Sequence, residues 1–99
     1  MLEQLTIEMM QPHVGSSFWL IEGNHKVEMR LVQAAKVMES EAARLQRNPF
    51  SLFFLGPGSI RLPQKIYRLT HEAFPTPLDI FLVPVEQQQG GYLYEAVFT

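Results

Sequence analysis

The sequence predicts a mainly β domain: a compact antiparallel barrel or sandwich of about six strands, with a short N-terminal helix and a short helix near residues 39–47. Three observations predict it. Several stretches of six or seven residues alternate polar and apolar side chains, the period of a strand with one buried face. Glycine- and proline-rich turn signals separate those stretches. The 99 residues suit a single domain over 1–99, which can bury roughly two-thirds of its unfolded surface and fold without staples.

Each element follows from its residues. Thr6 is an N-cap with an acid, Glu8, in the first turn, and Pro12 stops the helix. Leu5, Met9 and Met10 are expected to pack inward, and Gly15 lets the chain turn. Phe18-Trp19-Leu20-Ile21 is a strong strand former. Gly23-Asn24 is a hairpin turn pair, after which Val27, Met29 and Leu31 share one face and Lys26, Glu28 and Arg30 the other. The strand is expected to run to about Lys36. Ser40 then caps a run with acid early and base late, and Asn48-Pro49 closes it.

Residues 50–55 are apolar in both registers and read as a central strand buried on two sides. Gly56-Pro57-Gly58-Ser59 is a turn. It lacks the phosphate-loop pattern, so anion binding with Arg61 is the lesser reading. Tyr67, Leu69 and His71 share a face of the next strand, and residues 74–77 form a rigid connector. In residues 78–85, Pro84 has no amide to donate, which places that end at an edge or a bulge. Residues 86–91 read as a polar turn, and residues 92–98 pair back as the last strand.

Composition bounds the function. A net charge of -2 argues against a nucleic-acid binder, whose phosphate contacts need a basic face. No cysteine means no disulfide framework and no thiolate metal site. The N-terminus lacks the basic and apolar regions of a secretory signal, and no apolar run is long enough for a membrane span. The expected location is the cytoplasm, without membrane association. His13, His25 and His71 lack metal-ligand spacing and read as surface residues, so neither a metal nor another cofactor is expected.

Hydrophobic residues make up 46% of the chain and charged residues 18%, against a usual charged share of about 25%. Adjacent aromatics, Phe18 with Trp19 and Phe53 with Phe54, must point to opposite faces of their strands. That doubling favours a structural or protein-interaction module that binds a protein partner or itself, with strand edges able to extend a partner's sheet. Trp19, Phe53, Tyr67, His71 and Tyr94 are the candidate interaction or pocket residues. The second reading is a barrel with an apolar-ligand pocket lined by Tyr67, Tyr94 and His71. The third, disfavoured because no catalytic motif is present, is an enzyme using His71 and Glu95 as an acid–base pair. Alternation along the last strand points Glu95 to solvent.

Several stretches together carry a family resemblance. They are Leu2-Glu3-Gln4-Leu5-Thr6, Pro12 with Val14-Gly15 and Phe18, Phe50-Ser51-Leu52 with Phe54 and Gly56-Pro57, and Leu62-Pro63-Gln64 with Tyr67-Arg68-Leu69 and His71. Most specific are Ile80-Phe81-Leu82-Val83-Pro84 and Tyr94-Glu95-Ala96-Val97-Phe98. On these the chain resembles a family of small uncharacterised bacterial β-domains, a domain of unknown function. Met10 and residues 74–77 depart from its pattern. The resemblance implies no catalytic residues, and it implies an accessory role in a phage-tail-like assembly.

Overall fold

The computed structural model describes residues 5–36 and 49–98; the helix expected near residues 39–47 lies outside them. Among the described residues the chain forms a short helix α1 (Ile7–Met10), a 3₁₀ turn (Gln11–His13) and six strands. The strands are β1 (Ser17–Glu22), β2 (His25–Lys36), β3 (Phe50–Gly56), β4 (Lys65–Thr70), β5 (Leu78–Gln88) and β6 (Gly91–Phe98). All neighbours are antiparallel, and the order β1-β2-β3-β6-β5-β4 closes into a barrel where β1 meets β4. The barrel alternative therefore holds over the sandwich. Closure also removes the free strand edges expected from the sequence, because each of the six strands is paired on both sides.

Alternation fills the interior. Phe18, Leu20, Met29, Leu31, Leu52, Phe54, Leu69, Ile80, Leu82 and Tyr94 are fully buried in a single core. Leu5, Ile7 and Met10 of the N-terminal segment join it. That segment is tied to β2 by backbone bonds from the Gly15 amide to the Leu31 carbonyl and from the Leu31 amide to the Ser16 carbonyl. Thr6 caps α1 as expected, its hydroxyl accepting from the Met9 amide. The inward face differs from the expectation: Ile7 takes the place of Met9, which is exposed. Residues three apart share a helix face, so Ile7 pairs with Met10 and Met9 points away.

The two hairpins set the register. Glu22 faces His25 across the tight turn at Gly23-Asn24, and Gly23 adopts the positive φ that this turn needs. The second hairpin corrects the sequence reading. Pairing continues through Glu86, Gln87 and Gln88, and the turn is only Gln89-Gly90. The backbone ladder to β6 holds these polar residues in a strand. Of the two options for Pro84 the bulge is realised, as a register shift between Pro84 and Glu86. In β3, Phe50, Leu52 and Phe54 point inward, while Phe53 and Leu55 on the outer face are only half-buried. The strand is central in the sheet but not buried throughout on both faces. Gly91 lies against β3, where a Cβ would stand 1.9 Å from the Gly56 carbonyl oxygen.

Candidate functional site

The five residues singled out in the sequence fall in three places. Tyr67 and Tyr94 are core residues at the end of the barrel where β3 stops and β4 begins. The Tyr67 hydroxyl donates to the Pro63 carbonyl at 2.5 Å, and the Leu62 amide donates to the Tyr94 hydroxyl at 2.8 Å. The loop over that end is thus pinned by two phenols that rise from the core. Burial pushes the Tyr67 phenol up from its ordinary value, and Lys65 draws it the other way. Phe53 lies on the outer face of β3 opposite Glu95. Glu95 faces outward as alternation predicts and accepts a hydrogen bond from the Ser51 hydroxyl at 2.8 Å.

Trp19 and His71 come together at the other end, where β4 stops and β1 begins. With Ser16, Ser17, Thr70 and Glu72 they line an open groove of about 580 Å³. Trp19 lies on the outer face of β1 with the Lys26 ammonium 5.5 Å from its ring centroid. His71 packs inward on Phe18 at 4.4 Å between ring centroids. His13, expected at the surface, is half-buried beside it at 4.8 Å, and Phe74 completes the cluster. The expectation failed because the contact joins residues far apart in sequence.

The hydrogen bonds of His71 fix its chemical state. Its Nδ1 accepts from the Ala73 amide at 3.0 Å, so that nitrogen carries no proton. Its Nε2 lies 3.0 Å from the Ser16 hydroxyl oxygen, and that hydroxyl donates to the His13 carbonyl at 2.7 Å. Nε2 therefore carries the proton and donates to Ser16. Burial, followed by the His13 ring, lowers the proton affinity of His71 below the ordinary histidine value, while Glu72 acts in the opposite sense. A neutral imidazole with both nitrogens engaged is a clasp between the barrel and its N-terminal segment. In this tautomer it cannot take a proton from Ser16. The partners of His71 are Ser16 and Ala73 and that of Glu95 is Ser51, so no hydrogen bond joins the suggested acid–base pair.

Sequence reasoning passed over a row of residues on the outside of the barrel. Ile66 and Phe81 are cross-strand partners of β4 and β5 and both point outward. Carrying the β5–β6 register two residues on from Val83↔Glu95 sets Val97 beside Phe81. All three are exposed, and half-buried Val83 follows on the same face. Arg68 and Asp79, paired at 3.1 Å, flank the row at the neighbouring register position. The signal was present: residues 80–83 are apolar in both registers, which already required one apolar set to face outward.

An apolar depression of about 260 Å³ opens at the tyrosine end between Leu20, Val27, Leu62 and Tyr67, with Glu22 and Lys65 among its lining residues. Among the described residues no three histidine, aspartate or glutamate side chains group as metal ligands do, and no helix is long and apolar enough to cross a membrane. The chain belongs to the family described as Domain of unknown function (DUF6916), whose model matches residues 5–98. Comparison with curated proteins and with solved structures found no match to either.

Proposed function

We propose that this domain is a structural or protein-interaction module that works through the outside of its barrel. One observation carries the reading. The interior is filled by its own side chains, while Ile66, Phe81 and Val97 face outward on three adjacent strands. Apolar surface of this kind on a small domain supports contact with a protein partner or a second copy. The net charge of -2 supports a protein rather than a nucleic acid. A cytoplasmic setting belongs to the same proposal, in keeping with a chain that carries no cysteine. An accessory place in a phage-tail-like assembly is a setting in which such a module operates. The proposal assigns no catalytic residue.

The apolar-ligand reading has less support. The depression at the tyrosine end, at about 260 Å³, falls below the usual range of roughly 300–1,000 Å³ for ligand pockets. Tyr67 and Tyr94 occupy the interior that such a ligand would need. Cross-linking in the native host, followed by mass spectrometry of the purified protein, separates the two readings. Cross-links from the face around Phe81 to a protein support the module. A monomer without protein cross-links that carries a bound small molecule overturns it.

A further inference from the structure

We infer that the outer face of β4, β5 and β6 binds a second copy of this chain about a twofold axis. The inference rests on the interaction-module reading and adds the partner and the symmetry. Ile66 is 64% exposed, Phe81 48% and Val97 58%, on neighbouring strands. These are values for large apolar side chains that nothing among the described residues covers. An aromatic ring between two branched aliphatic side chains matches the composition of interface centres, where aromatic residues are enriched and charges are sparse.

The charges beside the row select the partner. Arg68 and Asp79 are cross-strand partners two residues along from Ile66 and Phe81, about 7 Å away at the rise of a strand. Both are more than half exposed. The flank therefore offers one cation and one anion of equal charge side by side. A strongly acidic or basic partner would meet a like charge whichever way it approached. A twofold-related copy meets Arg68 with its own Asp79 and Asp79 with its own Arg68, since an isologous contact places unlike positions of the same patch against each other. Phe81 then lies near the axis. On the far side of the row Glu95 is engaged by Ser51, and Val83 extends the apolar strip.

The barrel does not depend on these side chains for its core, so the face can be altered without emptying the interior. Sedimentation equilibrium from about 1 μM to about 1 mM spans the affinities expected of a small interface. The wild-type chain is expected to pass from monomer to dimer in that range. Phe81→Glu, and independently Ile66→Glu, should weaken association about tenfold or more, with the far-ultraviolet circular dichroism unchanged. Arg68→Glu leaves an all-acidic flank and Asp79→Arg an all-basic one. Each alone should be monomeric, and an equimolar mixture should form a heterodimer. A wild-type chain that stays monomeric at the highest concentration overturns the second copy as occupant, while the broader reading stands or falls on the cross-linking above. Association that survives both glutamate variants overturns this face as the site of self-association. Association broken by Phe81→Glu but not re-formed by the mixed charge variants overturns the twofold arrangement.

Discussion

Acidification should open the His71 clasp, and its cost follows from two hydrogen bonds. At neutral pH the imidazole accepts from the Ala73 amide and donates to the Ser16 hydroxyl. A proton on Nδ1 abolishes the first bond, turns that nitrogen toward another donor and places a cation beside the His13 ring. The charged and titratable groups facing His71 are His13 from the 3₁₀ turn and Glu72 from its own loop; His13 opposes the charge and Glu72 favours it. The balance keeps the folded-state proton affinity below the unfolded value of 6.5. The stability this provides is fully present above about pH 6.5 and is lost as pH falls through the lower folded-state value.

The Ala73 bond is reachable by solvent and contributes at the low end for a hydrogen bond, about 0.5 kcal/mol, while the partly buried Ser16 bond contributes about 1 kcal/mol. Removing both with His71→Phe should cost about 1.5 kcal/mol, or a fall in Tm of roughly 6–12 °C for a domain of this size. His71→Gln is the sharper variant. Its amide can still donate to Ser16, but it does not titrate. Thermal melts from about pH 8 to about pH 5 should show the wild type losing stability below its histidine range and the glutamine variant losing less. Nitrogen-15 spectra of the wild type at neutral pH should show a neutral ring protonated on Nε2. A glutamine variant with the same pH slope as the wild type would refute the clasp as its source, and an Nδ1-protonated ring would refute the bonding pattern.

Three further substitutions probe the barrel. Tyr94→Phe leaves the Leu62 amide without its partner in a buried place and should cost about 1–3 kcal/mol; urea denaturation with an unchanged midpoint would count against that bond. Gly91→Ala puts a methyl group 1.9 Å from the Gly56 carbonyl oxygen, so β6 must pull away from β3 and stability should fall by about 3 kcal/mol, measured in the same way. Thr6→Ala removes the cap from α1 and should cost about 1 kcal/mol, with faster amide exchange at Met9 as the local readout.

What was legible in the sequence was local. The turn at Gly23-Asn24, the alternation of Val27, Met29 and Leu31, and the break at Pro84 each express a backbone preference within a few residues. Closure was not legible, because it depends on Trp19 meeting Thr70 and Ile21 meeting Arg68, contacts across about fifty residues that alternation does not encode. The grouping of Tyr67, Tyr94 and His71 failed for a related reason. All three pack inward, His71 against its reading as a surface residue, but Tyr67 and Tyr94 reach the loop at one end of the barrel while His71 sits beyond the last residue of β4 at the other. Parity specifies a side of the sheet and is silent on height along the barrel.

The same geometry constrains where function can reside. In a closed six-stranded sheet the inward residues of every strand converge on one small volume, and here that volume is taken by leucine, phenylalanine, methionine and tyrosine side chains. The backbone edges are used up in closure. Two kinds of surface are left: the loops at the ends and the outward residues of the strands. Both ends are fastened, one by the phenols of Tyr67 and Tyr94 and the other by the His71 clasp and the N-terminal segment. The outward face carries charged and polar residues such as Lys26, Glu28, Arg30, Arg68, Asp79 and Glu95, and it also carries apolar ones, Trp19 and Phe53 among them. The row from Ile66 through Phe81 to Val97 holds the most exposed of the large apolar strand residues described, on three adjacent strands. Burial in the monomer gives no reason to keep these residues apolar, since a lysine or threonine at position 81 would pair across strands as well and dissolve better. Their presence on three consecutive strands is what the proposed interface accounts for.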